Sequence, residues 1–315
     1  MKLYPMVLTP FVSETVWGGR RLIDEYSVVT DKRNAAEAWV MSAHKNGSST
    51  VANGEFAGRT LREVYLEHPE LGGKNCAGFS DFPGLIKFID AAADLSVQVP
   101  PADASCVKKG SGAGKTESWY ILDCEPGAYL LLGFEKDITR EQFRQSITDG
   151  TLTDYVKKVP VKKGDFFFIE SGTLHAICKG ILLAEVQQNS DTTYRIYDYG
   201  RLGFDGKPRE LHVEDAVNVT HTGVYKNPCT PKKDGNVTNL VACPFFTERV
   251  LDINGSFNGT ADEKSFVSLL ILDGAGSLEC AGETLEFSKG GSIFIPANCG
   301  EYKINGEAKI LETRV

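Results

Sequence analysis

The 315-residue sequence predicts a mainly β protein: two related β-barrels with a small helical insertion. Three observations carry that prediction. Apolar runs are strand-sized and stop at Gly, Asp or Pro. Helical signals are confined to two short stretches. One strand–turn pattern occurs twice: VKKGDFFFIESGTLHAI (161–177) is echoed by FSKGGSIFIPANCGEY (287–302), with lysine, glycine, an apolar run and a small-residue turn in the same order.

The elements follow in chain order. Leu95, Val97 and Val99 alternate with Ser96 and Gln98, as in a half-buried strand, and Pro100-Pro101 ends it. SWYILD, AYLLLGF, DFFFIESG, ILLAEVQQ and TYRIYDYG read as further strands. Thr60 with Glu63, and Thr139 with Gln142, fit capping boxes, so helices are expected near 60–70 and within 139–158, the latter broken near Gly150. From about residue 240 turns recur every eight to ten residues, the rhythm of a compact sandwich or barrel. The expected organisation is a first domain over 1–225, a polar connector over 226–239 and a C-terminal β domain over 240–315.

Composition narrows the function. Hydrophobic residues make up 42% and charged residues 24%, and the formal net charge is −8. An acidic chain is a poor partner for nucleic acid or an anionic membrane surface, whereas a few local Arg and Lys residues suffice for one phosphate. No run approaches the ~18 apolar residues of a membrane span. MKLYPMVLTPF lacks the apolar core of a signal peptide. The eight cysteines include no CxxC pair, and we read them as reduced thiols of a cytoplasmic protein.

Three stretches could carry chemistry: LSVQVPP (95–101), GKTESWYIL (114–122) and ESGTLHAI (170–177). Gln98, Glu117 and His175 occupy similar places in successive strands. An amide, a carboxylate and an imidazole meeting in a barrel mouth suit Zn²⁺. Each alone has a blander reading: a polar strand end, a solvated charge, a satisfied histidine. The fourth stretch, AEVQQNSDTTYRIYDYGR (184–201), reads equally as an edge strand with alternating tyrosines or as an arginine, Arg195, held over a polar pocket to meet negative charge.

GDFFFIESGTLHAI followed by EVQQNSDTTYRIYDYGR resembles the type I mannose-6-phosphate isomerases, a cupin family, in their short bacterial form. VWGG (16–19), EAWVMS (37–42), FPGLIKFIDA (82–91) and ELHVEDA (210–216) fit the same pattern, and the tail fits the family's second cupin barrel. The resemblance implies reversible aldose–ketose conversion of mannose 6-phosphate and fructose 6-phosphate at a zinc site. It implies Glu117 and His175 as metal ligands, Gln98 as a residue at the metal, Arg195 as the catalytic arginine, and Ser96 and Lys115 as phosphate contacts.

The departure is Pro100. The family's motif reads QVHP there and its histidine is a zinc ligand; this chain reads QVPP. Proline has no side-chain donor. Losing such a ligand should cost at least about 10–100-fold in metal affinity or activity. Either the remaining Gln/Glu/His set holds zinc or a harder ion such as Mn²⁺ or Mg²⁺, or another residue such as His44 moves in. The resulting expectation is an isomerase weakened at its metal. The alternatives are a non-catalytic cupin that binds a sugar phosphate, and an isomerase for another sugar.

Overall fold

The computed structural model describes residues 2–103, 105–106 and 114–315. Its strands form three sheets, all of whose pairings within sheets are antiparallel. A seven-stranded sheet runs Phe166–Ile169, Glu117–Cys124, Ile181–Gln188, Gly84–Ala91, Glu37–His44, Phe11–Ser13, with Gly47–Ser48 hung on Glu37–His44. A five-stranded sheet runs Val156–Pro160, Tyr129–Phe134, His175–Ile177, Val97–Val99, Tyr194–Tyr197. These two sheets face each other across a core of Trp17, Ile89, Trp119, Leu130, Leu132 and Leu183, the jelly-roll arrangement of a cupin.

The central strands Gly84–Ala91 and Ile181–Gln188 are buried at every position. Both faces are covered, so they read as near-continuous apolar runs rather than alternating ones. Any charge inside them is conspicuous: Lys87 and Asp90 in the first, Glu185 in the second.

The third sheet has nine strands and is built mainly from Thr247–Ala261, Val267–Cys280 and Gly300–Arg314. It curls around its own core of Leu251, Leu269, Ile271, Ile304 and Ile310. Its path also takes in Met6–Thr9 and Thr50–Val51 from the start of the chain. Among the described residues none of the sheets closes on itself, so each barrel is an open jelly-roll; a further apolar layer, with Phe82, Phe168, Phe246, Phe266 and Phe294, joins the first to the second.

The internal echo is structural. Phe166–Ile169 and Ser292–Ile295 are equivalent strands. Gly164 and Gly290 before them have φ of 89° and 87°, and Gly172 and Asn298 after them have φ of 88° and 64°, so both turns use a left-handed residue. The position matching His175 is Glu301, which is exposed. The second barrel has the turn but not the imidazole.

Helices stay at the margins. Thr60 caps Leu61–Glu67 and Thr139 caps Arg140–Thr148, each through a complete capping box. The signal over 139–158 resolves into that helix, a left-handed Gly150, a 3-10 turn Leu152–Asp154 and the strand Val156–Pro160. Phe143 and Val217, from this helix and from Val213–Val219, cover the outer face of the five-stranded sheet together with Leu131 and Ile196.

Candidate active site

Two cross-strand rows build the site. In the five-stranded sheet Gln98 is directly opposite His175 on one side and Arg195 on the other. In the seven-stranded sheet Trp39 is opposite Lys87, Lys87 opposite Glu185, and Glu185 opposite Trp119. Directly opposed residues share a face, so each row presents its side chains together. Glu117 lies two residues before Trp119 and therefore points the same way.

The rows converge. His175 Nε2 is 3.3 Å from Glu117 Oε1 and 3.0 Å from the Gln98 amide nitrogen. Trp119 meets the His175 ring edge-on at 5.0 Å. Lys115 Nζ lies 2.5 Å from Glu117 Oε2 and 4.0 Å from Glu185 Oε1. Glu185 also holds Lys87 at 3.2 Å and accepts from the Trp119 indole at 3.0 Å. Arg195 Nε donates to Ser96 Oγ at 3.3 Å, and its Nη1 donates to the Glu210 carbonyl at 3.0 Å. Arg201 and Arg209 are both spent on Asp198, at 2.7 Å each. Among the described residues Arg195 has no carboxylate within ion-pair distance, so its charge is available to a ligand.

A cavity of about 220 Å³ opens onto these groups, lined among others by Gln98, Lys87, Lys115, Glu185, Asp191 and Arg195. A larger cavity of about 770 Å³ lies beside the C-terminal sheet and has no histidine in its lining. Chemistry, not size, singles out the smaller one.

Burial sets the protonation. His175 is driven down to about 3, first by desolvation and then by Lys115, so the ring is neutral. Its Nδ1 faces the Thr173 carbonyl at 3.1 Å; with the proton assigned there, the Nε2 lone pair faces Glu117. Glu117 is pushed up to about 8 by desolvation, against the pull of Lys115 and with the adjacent Glu185 adding to the rise. Glu185 is equally buried, yet Lys115 and Lys87 hold it well below the usual carboxylate range. Lys115 is raised, because Glu117 and Glu185 outweigh its own burial.

Gln98, Glu117 and His175 come together at one point. Ser96 and Arg195 are in contact beside them. Lys115 lies deep, against Glu117. Pro100 is buried and its carbonyl accepts from the Gly172 amide at 2.7 Å, which ties the strand end to the His175 turn without any side-chain donor. His44 is turned to Asp191, with Nε2 at 3.6 Å. Among the described residues no three His, Cys, Asp or Glu side chains group as a metal cluster. Sequence reasoning missed Lys87, Glu185 and Arg209. A lone carboxylate within ILLAEVQQ was the available signal for Glu185.

Known proteins match this chain over nearly its whole length. Residues 6–121 match the phosphomannose isomerase type I catalytic domain, and residues 236–315 match the mannose-6-phosphate isomerase cupin domain. The chain is 38% identical over 317 aligned residues to the probable mannose-6-phosphate isomerase GmuF of Bacillus subtilis (strain 168), covering 98% of both chains. This chain belongs to the type I phosphomannose isomerase family. It is also 37% identical to a mannose-6-phosphate isomerase of Streptococcus mutans, over 98% of this chain and 97% of the relative. The crystal structure of the mannose 6-phosphate isomerase from Bacillus subtilis superposes with a TM-score of 0.90 at 35% identity, covering 99% of each chain.

The phosphomannose isomerases are metal-dependent. The residues present here fit a cation. Among the described residues Glu117 Oε1 is buried with no hydrogen-bond partner, and it faces His175 Nε2, which meets the Gln98 amide while Nδ1 bonds on the far side of the ring. With nothing positive at Oε1 such a buried group keeps a proton, as its rise to about 8 implies; a cation at Oε1 would take that proton's place. Rotating the Gln98 amide by half a turn, an exchange of O and N that leaves its shape unchanged, offers a third donor.

Proposed function

We propose that this chain interconverts mannose 6-phosphate and fructose 6-phosphate, using Gln98, Glu117 and His175 to hold a divalent cation. The observation that carries the reading is the unpartnered Glu117 Oε1 set 3.3 Å from His175 Nε2, with Arg195 two cross-strand steps away. Zinc suits the imidazole and carboxylate; the amide and the missing histidine make Mn²⁺ an equal competitor. Held by Gln98, Glu117 and His175, a divalent ion would supply Lewis-acid polarisation of the sugar carbonyl, which would ease proton transfer between C1 and C2.

The chain's own residues do the rest. Arg195, held by Ser96 and the Glu210 carbonyl, places a guanidinium with spare donors at the cavity wall, where negative charge on the sugar is met. Burial, with Arg209 next in effect, lowers Arg195 from the ordinary arginine value but leaves it a cation. Ser96 fixes the orientation of Arg195 and lines the same cavity, where it would meet the phosphate. Lys115 neutralises Glu117 Oε2 and leaves Oε1 for the metal; its depth suits charge control more than phosphate capture. Lys87 and Lys115 keep Glu185 ionised, and the three stand as a fixed charge array along one wall.

The ligand is a phosphorylated hexose, which does not cross bilayers, and this favours a cytoplasmic place of work. No helix among the described residues is long and apolar enough to cross a membrane. Residues 1–225 would carry the chemistry, 226–239 would connect, and 240–315 would form the supporting barrel.

The test is direct. Purified protein, stripped with a chelator, is assayed with mannose 6-phosphate after adding zinc, manganese or cobalt. Turnover restored by at least one ion is expected. Ligand binding by calorimetry without product under every ion would establish the non-catalytic alternative, and turnover only with a different aldose phosphate would establish another substrate.

A further inference from the structure

Glu248 is a carboxyl group with no evident business in the interior. It sits on Thr247–Ala261 of the second barrel, 3% exposed, among Phe246, Val250, Leu311 and Phe168 of the layer between the barrels. Its side-chain partner is Ser118 Oγ of the first barrel. Ser118 Oγ also lies 3.3 Å from the Val186 carbonyl, and Ser118 and Val186 are directly opposed in their sheet. A serine has one proton and cannot donate to both. The two contacts are satisfied together only if the carboxyl supplies the second proton.

We propose that Glu248 is a positioning residue: as a neutral acid it donates to Ser118 Oγ, Ser118 donates to the Val186 carbonyl, and the second barrel thereby grips two site strands. Those strands are the ones that carry Glu117 and Glu185, each adjacent in sequence to a gripped residue. Side chains alternate along a strand, so Glu117 faces the cavity while Ser118 faces the other barrel. The grip is placed one residue from the chemistry, on the opposite face of the same sheet.

The surroundings favour the neutral form. Desolvation raises Glu248 to about 8, opposed only by the Ser118 hydrogen bond. The thiols of Cys229 and Cys243 face it from the connector and the following loop, and burial keeps both raised. Lys232, Arg249, Glu312 and Arg314 share its cavity wall, but both arginines are committed to Glu312, at 2.8 and 2.9 Å. The cross-strand neighbour Thr313 and the next residue over, Ser268, offer only buried hydroxyls.

The effect on the site rests on the isomerase reading; the proton does not, so the two can fail separately. The first measurement is melting temperature against pH for wild type and Glu248→Gln. The amide donates to Ser118 at every pH. In the unfolded chain Glu248 ionises near its ordinary value of 4.5, while the folded chain keeps the proton to about 8. Wild type should therefore lose stability relative to Glu248→Gln as pH rises through that window, by several degrees, and the difference should level off above it. A difference that does not change with pH would overturn the neutral-acid assignment. The second measurement uses Ser118→Ala and Glu248→Leu, checked for folding by circular dichroism. Each should lower kcat about tenfold with KM nearly unchanged, with Glu248→Gln restoring the rate. Full kcat in Ser118→Ala would overturn the grip. If wild type itself shows no isomerase activity, the metal affinity of the same variants replaces kcat as the readout, with the same expected loss.

Discussion

Gln98 and position 100 lie on the same face of one strand end, two residues apart, so a side chain at 100 is directed to the side where Gln98 meets His175. Pro100→His should therefore raise metal affinity about 10–100-fold, the usual weight of a partner at a metal centre, with the isomerisation rate rising alongside. Calorimetric titration of the stripped variant checks this; unchanged affinity would mean that the backbone at 100 no longer aims into the site. Arg195→Ala should cost about 10²–10³-fold in kcat, the scale on which one preorganised donor at developing charge is lost, with metal affinity intact. Steady-state assay of the metal-loaded variant decides it, and a loss confined to KM would assign Arg195 to ground-state binding alone. At this scale the sequence was informative because each residue type stands in a short, ordered motif. Glu185 and Lys87 escaped because they interrupt strands buried on both faces, where no alternation marks which side a charge takes.

At the scale of the element, the turn before His175 is the sensitive joint. Gly172 has φ of 88°, and a Cβ there would lie 2.8 Å from His221 Nε2 and 2.9 Å from the Val219 carbonyl oxygen. Gly172→Ala should cost at least about 1–3 kcal/mol of stability through the strained backbone alone, and it should loosen His175. Urea unfolding and metal titration of the same sample read both effects. The buried wall of Lys87, Glu185 and Lys115 is the second sensitive element. Glu185→Gln leaves two buried ammonium groups short of a counter-charge, and a stability loss on the order of 3–5 kcal/mol is expected. A midpoint close to wild type would show that water enters the wall and solvates the lysines. The helices at 61 and 140 were legible from their capping residues alone. The strand Val156–Pro160 was not, because VKKVP takes its extended form from pairing with Tyr129–Phe134, a contact that local sequence does not announce.

At the scale of the molecule, the chain repeats one jelly-roll and gives only the first copy a histidine after the turn: His175 in one, exposed Glu301 in the other. The echo in the sequence carried that far. It did not reveal that Met6–Thr9 crosses to pair with Ser292–Ile295, nor that Glu248 reaches back to Ser118, because both depend on how the barrels dock. The proposed function requires that two strong donors and an amide, gathered by two facing sheets, hold a divalent ion although position 100 contributes nothing. Titration of chelator-stripped wild type and Glu117→Gln with Mn²⁺ and Zn²⁺ tests it most directly. One ion per chain binding to wild type, and lost in Glu117→Gln, is the predicted result; wild type that binds neither ion, or a variant that binds as wild type does, would contradict it.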